Sequence, residues 1–367
     1  MEEKYLLEIC NPKQWKTIPK SQLLENGKFP VYGANGIIGR YNEYNHEKPT
    51  VLITCRGATC GNIHITVPNA YINGNAMALD NLNEIICKKE YLYYFLQYYD
   101  MSKIISGTAQ PQITITGLKK VKVKLYSINK QEEIVNELNK INKLIKLKKR
   151  QLEELQKFIK SQFVEMFGTI KENKKKYPIK SLIEVFELIK DGTHSTPVYI
   201  NDKKNGVKFL SAKDITKGRI DWDNTKYIPI ELHEKLVKRI KPQLNDILLA
   251  KNGTTGICAK VNKEEVFDIY VSLALLRPNL ENCSDYLVQA INNEETKEQF
   301  KKSLKGVGVP NLHLGEIKKV KIIVPPLPLQ NKFSEIVKQI DKQKFEIEKS
   351  LKETQELYES LMEKYFG

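Results

Sequence analysis

The sequence lacks the cysteine and histidine patterns of a metal site and the long apolar run of a transmembrane helix. Its six cysteines include no Cys-x-x-Cys pair, and its five histidines include no His-x-x-x-His pair, although zinc sites need closely spaced ligands of this kind. No stretch of about eighteen apolar residues occurs, and the opening residues Met1–Lys4 do not have the layout of a signal peptide. We therefore expect a cytoplasmic protein with reduced, mostly buried thiols and no bound metal.

The motifs of nucleotide-dependent and methyl-transferring enzymes are missing as well. The sequence has no Gly-x-x-x-x-Gly-Lys-Ser/Thr loop for ATP phosphates and no Gly-x-Gly-x-x-Gly turn after a strand. It has neither Asn-Pro-Pro-Tyr nor Asp-Pro-Pro-Tyr, the kind of motif with which a DNA amino-methyltransferase holds its flipped base. The carboxylates and lysine that a metal-dependent nuclease needs are represented by Glu316 and Lys318 alone, with no Pro-Asp before them. We predict that the chain has no catalytic residues and binds no cofactor itself.

Acidic residues are too few to balance the basic ones. Lysine and arginine total 59 against 44 aspartate and glutamate residues, which gives a formal net charge of +15. Such an excess favours a polyanionic partner, and nucleic acid is the first candidate. A basic protein that is merely well solvated is the alternative that composition leaves open.

The most informative feature that the sequence does have is a repeat. Residues 107–168 align without a gap with residues 306–367, and this alignment matches Gln131 with Gln330. A repeat of this length indicates two equivalent units. We expect each unit to have a strand-rich body followed by a long helix.

A weaker similarity lies upstream of this repeat, within the two bodies. Residues 51–61 resemble residues 246–256, and an ungapped alignment sets Arg56 opposite Lys251. Both segments pass from an apolar run to a glycine-rich turn, which is typical of a strand that ends in a loop. The sequence therefore predicts equivalent loops in the two bodies.

Each unit should end in a helix of about forty residues, because apolar residues recur at alternating spacings of four and three and keep one stripe over many turns. Lys148 interrupts the stripe of the first helix, and Lys344 lies at a nearby place in the second. Two helices that each expose an apolar seam have each other as the obvious partner. The stripe comprises Ile134, Leu138, Ile141, Ile145, Leu152, Leu155 and Ile159 in the first helix and Phe333, Val337, Ile340, Ile347, Leu351, Tyr358 and Leu361 in the second.

Several segments resemble one known family. Residues 191–197, Asp-Gly-Thr-His-Ser-Thr-Pro, followed by residues 206–215 and 218–221, look like the opening of a target recognition domain in the specificity subunit of type I restriction–modification systems. Residues 32–39 resemble an alternative opening from the same family. Residues 324–330, Val-Pro-Pro-Leu-Pro-Leu-Gln, are similar to the boundary at which such a domain runs into a long helix.

The resemblance implies an α+β fold. Two pseudo-symmetric, β-rich target recognition domains would each be followed by a long helix, and the two helices would pair as an antiparallel coiled coil. The implied boundaries place the recognition domains at residues 1–128 and 169–326. The conserved spacer helices would occupy residues 129–168 and 327–367.

The resemblance also implies partners and a division of labour. Members of the family read the two halves of a bipartite DNA site, which should be asymmetric here because the two bodies differ in sequence. Two modification subunits would methylate adenine with S-adenosylmethionine, and restriction subunits could add translocation and cleavage driven by ATP and Mg²⁺. A helical adaptor without sequence-specific DNA readout is the alternative, and an enzyme with an unrecognised site is a third.

Candidate DNA contacts follow from side-chain chemistry in the loops of the two bodies. Arginine can pair bidentately with guanine, and amide side chains can pair with adenine. His194 is either a contact or part of a turn that fixes its loop, and the loops themselves could be ordinary connectors. The candidates for base contacts are Arg56, Thr108, Gln110 and Gln112 in the first body and Lys213, Lys251, Asn252, Thr254 and Asn311 in the second. The candidates for phosphate contacts are Lys103, Lys217 and Arg219.

Overall fold

The computed structural model describes residues 2–34, 36–107, 110–216, 218–253, 255–304 and 311–367. Three predicted contact residues, Thr108, Lys217 and Thr254, lie outside these ranges. The chain forms two compact units. Unit 1 consists of Met1–Arg150 with Glu348–Gly367, and unit 2 consists of Gln151–Ile347.

Unit 1 is built on an antiparallel four-stranded sheet in the order Asn11–Gln14, Ala76–Asp80, Val51–Thr54, Ile63–Ile65. A three-stranded sheet accompanies it, with Phe29–Gly33 antiparallel to Gly36–Tyr41 and parallel to Tyr71–Ile72. Two further strand pairs are Glu2–Tyr5 with Lys122–Leu125 and Ile105–Ser106 with Gln112–Ile113. The helices of this body are Leu6–Ile9, Lys89–Tyr98 and Ile115–Leu118, with 3-10 turns at Lys20–Gln22 and Met101–Lys103.

Unit 2 repeats this topology. Its four-stranded antiparallel sheet has the order Phe186–Asp191, Leu273–Pro278, Ile247–Ala250, Cys258–Lys260. In its three-stranded sheet Gly206–Leu210 is antiparallel to Lys226–Pro229 and parallel to Phe267–Ile269. The remaining strand pairs are Ile179–Ser181 with Lys321–Ile323 and Ile215–Thr216 with Arg219–Ile220. The helices are Leu182–Val185, Ile230–Leu236, Ser284–Asn292, Glu294–Lys302 and Leu314–Lys319, with a 3-10 turn at Ala212–Asp214.

Two long helices, Ile128–Phe167 and Leu327–Phe366, pack together. In unit 1 the early residues of the first helix share a core with the last residues of the second, and the Tyr365 hydroxyl donates to Glu137 Oε2 at 2.5 Å. In unit 2 the end of the first helix meets the beginning of the second, with the Phe167 and Phe333 rings 5.4 Å apart. The helices are therefore antiparallel, and the predicted fold class is confirmed.

The two lysines that interrupt the apolar stripes bond across the helix pair. Lys148 Nζ donates to Ser350 Oγ at 2.7 Å in unit 1. In unit 2, Lys344 Nζ donates to Gln156 Oε1, also at 2.7 Å. A polar residue in an apolar seam is a common way to specify helix register at a cost in stability.

A buried glutamine fastens each body to the start of its long helix. The Gln131 amide donates to the carbonyl oxygens of Ile86 and Tyr126, at 2.8 and 2.9 Å, and its Oε1 accepts from the Lys88 backbone. Gln330, its repeat equivalent, is also fully buried. Its amide donates to Pro325 O and Asn282 Oδ1, and its Oε1 accepts from the Cys283 backbone.

Four of the six cysteines are buried and all six are free. Burial raises the pKa of the Cys10 and Cys87 thiols to about 12, so these thiols stay protonated at neutral pH. Within the described ranges, no helix combines the length and apolar character needed to cross a membrane.

Candidate nucleic-acid interface

Val51–Thr54 is one of the two inner strands of the four-stranded sheet in unit 1, and we call it the central strand. The loop after it brings together residues that are far apart in sequence. Arg56 and Gln112 form an isolated antiparallel bridge, and the Ile113 amide donates to the Cys55 carbonyl at 3.1 Å. Both Arg56 and Gln112 have exposed side chains. We call these two residues the edge pair of unit 1.

The neighbouring turn of unit 1 presents two more predicted residues. Gly107 has φ +85°, and a Cβ there would lie 2.6 Å from the Gln110 carbonyl oxygen, so glycine alone fits this tight turn. Gln110 is exposed, as is Lys103 in the 3-10 turn before strand Ile105–Ser106. That strand pairs with Gln112. Lys103 and Gln110 therefore border the edge pair.

The same arrangement occurs in unit 2. Asn252 and Asn311 form an isolated antiparallel bridge, and the Leu312 amide donates to the Lys251 carbonyl at 3.1 Å. Asn252 and Asn311 are half-buried. They are the edge pair of unit 2.

These hydrogen bonds correct the ungapped alignment of residues 51–61 with residues 246–256 by one position. Cys55 is equivalent to Lys251, because the carbonyl of Cys55 accepts from Ile113 and the carbonyl of Lys251 accepts from Leu312. Arg56, the next residue, is therefore equivalent to Asn252. The reason is a turn of different length. The positive-φ glycines Gly57 and Gly61 of unit 1 correspond to Gly253 and Gly256 in unit 2, which are one residue closer together.

The amides of the second edge pair are only partly accessible. The Oδ1 atoms of Asn252 and Asn311 are covered and have no hydrogen-bond partner within the part of the chain that the structure describes. An asparagine needs both its oxygen and its nitrogen to pair bidentately with adenine. Such pairing at these positions therefore requires the amide to rotate.

Lys251 differs from the other candidates because its side chain is buried against a carboxylate. Its Nζ lies 3.1 Å from Asp191 Oδ2, and only 6% of its side chain is exposed. The Arg239 guanidinium lies 2.9 Å from Asp191 Oδ1, and His194 Nε2 lies 3.3 Å from Asp191 Oδ2. Burial alone would raise the pKa of the Asp191 carboxyl, but hydrogen bonds and charges from Lys251, Arg239 and His194 outweigh it and hold that pKa below its usual value.

The segment that carries Asp191 and His194 is fixed by its backbone. A Cβ at Gly192 would lie 2.0 Å from the Ile269 carbonyl oxygen, so no other residue fits there without a shift. The Thr193 amide donates to that same carbonyl. His194 itself is mostly exposed, with 69% of its side chain accessible. The segment thus combines a tight structural turn with one outward-facing imidazole.

Lys213 lies close to this edge in unit 2. It is exposed on the 3-10 turn Ala212–Asp214, whose capping box joins Ser211 and Asp214. Ser272 connects this turn to Lys251, since its hydroxyl accepts from the Ala212 amide and its carbonyl accepts from the Lys251 amide.

Arg219 lies elsewhere. It belongs to the short hairpin Ile215–Thr216 with Arg219–Ile220, and its guanidinium lies 3.9 Å from Asp341 Oδ1 on the second long helix. The contact with Asp341 places the Arg219 guanidinium beside the second long helix.

Sequence reasoning did not select the residues that support these edges. Asp191 is the first residue of the segment Asp-Gly-Thr-His, and its place in that segment was the available signal. Arg239 and Ser272 gave no comparable signal. Across the described residues no group of three or more His, Cys, Asp or Glu side chains could hold a metal ion.

Comparison with known proteins gives this architecture a family. The family of the type I restriction modification DNA specificity domain, Methylase_S, matches residues 1–157 and 174–357. The chain is 23% identical over 334 residues to the specificity subunit of the type I restriction enzyme MjaVIII of Methanocaldococcus jannaschii, an alignment that covers 84% of this chain and 77% of that protein.

Solved structures share the fold over the full length. The S subunit of a type I restriction–modification system from M. genitalium aligns with a TM-score of 0.65 at 18% identity, covering 100% of this chain and 96% of that chain. A chain from a structure on complex assembly and conformational transition of the type I system aligns with a TM-score of 0.57 at 16% identity, over 100% and 97% of the two chains. Because the family match extends over most of its length, this chain belongs to the DNA specificity subunits of type I restriction–modification systems, which recognise DNA and are not catalytic.

Proposed function

We propose that each unit reads one half of a bipartite, asymmetric DNA site through its edge pair. The observation that carries this proposal is the repetition of one backbone bridge with different side chains, Arg56 and Gln112 in unit 1 and Asn252 and Asn311 in unit 2. Arginine matches the O6 and N7 acceptors of guanine, whereas asparagine and glutamine match N6 and N7 of adenine. Different side chains at equivalent places would read different bases, and the site would therefore not be palindromic.

Phosphate contacts would set the register of this readout. Lys103 and Lys213 are exposed beside the two edge pairs, and basic side chains in such places bind the DNA backbone without reading sequence. Arg219 and His194 are further candidates for contacts to DNA. Thr108, Lys217 and Thr254 remain in the proposal on their chemistry and their place in the sequence.

The partners that we propose are two modification subunits that dock on the long helices. Phe158 and Leu357 occupy equivalent positions of the repeat and are about half exposed, at 48% and 51%. Exposed apolar residues at two equivalent places suit two copies of one partner. The partners would bring S-adenosylmethionine for adenine methylation, and a restriction subunit, where present, would use ATP and Mg²⁺.

In the proposed domain organisation, one pair of segments recognises DNA and another pair sets the distance between the two recognition domains. Residues 1–128 and 169–326 would be target recognition domains, and residues 129–168 and 327–367 would be the spacer helices. The length of the unspecified DNA between the half-sites would then follow from the helices. The protein would act on DNA in the cytoplasm.

The test is long-read detection of N6-methyladenine in DNA from cells that carry this gene with its neighbouring methyltransferase gene. The same cells with only this chain deleted are the control. A split motif that disappears on deletion is the expected result. A methylome that does not change would contradict the proposal, and absence of sequence preference in DNA binding by the purified chain would then favour a helical adaptor.

A further inference from the structure

We propose that Asp191 and Gln14 are positioning residues that determine how sharply each unit discriminates its half-site. This inference rests on the function proposed above and extends it to residues behind the edge pairs. Asp191 would act through Lys251 in unit 2, and Gln14 would act through Cys55 in unit 1.

The two residues occupy equivalent places in the repeated four-stranded sheet. Gln14 pairs with Met77, which also pairs with Ile53 of the central strand. Asp191 pairs with Ala274, which pairs in the same way with Leu249 of Ile247–Ala250, the central strand of unit 2.

Each residue reaches the position directly after the central strand of its sheet. Gln14 Nε2 lies 2.9 Å from Cys55 Sγ, and Asp191 Oδ2 lies 3.1 Å from Lys251 Nζ. One unit therefore makes this contact between neutral groups, whereas the other makes it as an ion pair.

The contact leads directly to the edge pair. Cys55 precedes Arg56, and its carbonyl accepts from Ile113, the neighbour of Gln112. In unit 2 the fixed residue is Lys251, which precedes Asn252 and whose carbonyl accepts from Leu312. A side chain that holds this one residue thereby holds both members of the edge pair, and base readout depends on such fixed geometry.

In unit 2 the Asp191 carboxylate makes further contacts besides the one with Lys251. Oδ2 of Asp191 faces both Lys251 and His194, and Oδ1 faces Arg239. His194 and Arg239 are both exposed, and the His194 side chain is the more accessible, at 69% against 48%. Asp191 would therefore orient an outward-facing imidazole as well as the edge pair.

The test compares methylation rates of DNA duplexes by the complex of this chain with its methyltransferase subunits. The probes are the duplex with the split motif that the wild type methylates and duplexes with single base substitutions in one half or the other. An N252A/N311A variant identifies the half that unit 2 reads. Asp191→Asn should lower discrimination against substitutions in that half by about tenfold and leave discrimination in the other half unchanged. Gln14→Leu should lower discrimination in the other half and leave the half read by unit 2 unchanged.

A matched control separates positioning from general loss of stability. Asp246 is 1% exposed and accepts two hydrogen bonds from Arg277, both of 2.8 Å. It directly precedes the central strand of unit 2, about 16 Å along the chain from Lys251. Asp246→Asn should destabilise unit 2 and leave discrimination in both halves unchanged. Equal loss of discrimination in D191N and D246N, or relaxation of both halves in D191N, would overturn the inference.

A second variant removes the buried charge altogether. D191Q/K251C installs in unit 2 the contact found in unit 1 and removes both buried charges. Arg239 loses its carboxylate partner, but it is 48% exposed and keeps its hydrogen bond to the Gly192 carbonyl. It should discriminate within about threefold of the wild type. A folded double variant that loses as much discrimination against base substitutions as D191N does would overturn the inference. A wild type that directs no split-motif methylation would overturn the proposed function and this inference with it, whereas a wild-type motif that D191N leaves unchanged would overturn this inference alone.

Discussion

Asn252 pairs through its backbone with Asn311, although 58 residues separate them in the chain (252 and 311 excluded). The bridge follows the central strand Ile247–Ala250 of unit 2, and the Lys251 carbonyl beside it accepts from Leu312. The loop after strand Ile247–Ala250 is therefore held at one point by the segment that begins at Asn311.

The buried glutamine of each long helix should be essential for stability. Gln330→Leu leaves the carbonyl of Pro325 and the amide of Cys283 without partners, which should lower the free energy of unfolding by about 2 kcal/mol or more. Urea denaturation measures this change. Gln343→Leu, at an exposed position of the same helix, is the control and should change stability little. Equal effects of the two substitutions would contradict the role assigned to Gln330.

The two lysines in the apolar seam should lower the stability of the helix pair while they fix its register. Replacing Lys148 and Lys344 together by leucine removes their bonds to Ser350 and Gln156 but extends the apolar stripe. We expect the melting temperature to rise by about 2–4 °C, which corresponds to roughly 1 kcal/mol in a unit of this size.

The control for this prediction is the neighbouring pair of exposed lysines, Lys149 and Lys349. Leucine at those two positions should leave the free energy of unfolding within about 0.5 kcal/mol of the wild type. Thermal unfolding followed by circular dichroism measures both variants. A drop in melting temperature for K148L/K344L would show that the lysines stabilise the pair.

Much of the fold could be predicted from the sequence, because it rests on periodic patterns. The apolar stripes gave the long helices, the repeat gave the two units, and the quoted motifs gave the family, all of which are confirmed. The surroundings of Lys251 could not be predicted, since Asp191 is remote in sequence and meets it through strand pairing. A turn shortened by one residue likewise hid the equivalence of Arg56 and Asn252.

Asp191 should contribute to stability in a pH-dependent way. Its pKa in the folded protein is lowered, below an unfolded value of about 3.9. Its stabilising effect should therefore be complete above that unfolded value and disappear as the pH falls through the folded pKa.

Urea denaturation of the wild type and of Asp191→Asn between pH 7 and pH 3 measures this effect. The difference in free energy of unfolding should stay constant from pH 7 to about 5 and shrink below about 4. A difference that grows as the pH falls would contradict the ionised state assigned to Asp191.

Lys213 should contribute to DNA affinity without contributing to sequence preference. Lys213→Ala should weaken binding by about the same factor on all sequences and reduce the slope of log affinity against log salt by about one. Lys203→Ala is the control, because Lys203 is exposed at the opposite end of strand Gly206–Leu210. A change in base preference in K213A, or an equal change of slope in K203A, would contradict the assignment.

N6-methyladenine mapping in cells that carry paired variants of the two edge pairs tests whether each unit reads one half-site. R56A/Q112A should relax the bases of one half-site, and N252A/N311A should relax those of the other, each by about 1–3 kcal/mol of discrimination per lost contact. We expect two complementary motifs, each degenerate in a different half. Relaxation of the same half by both variants, or an intact split motif in both, would contradict it.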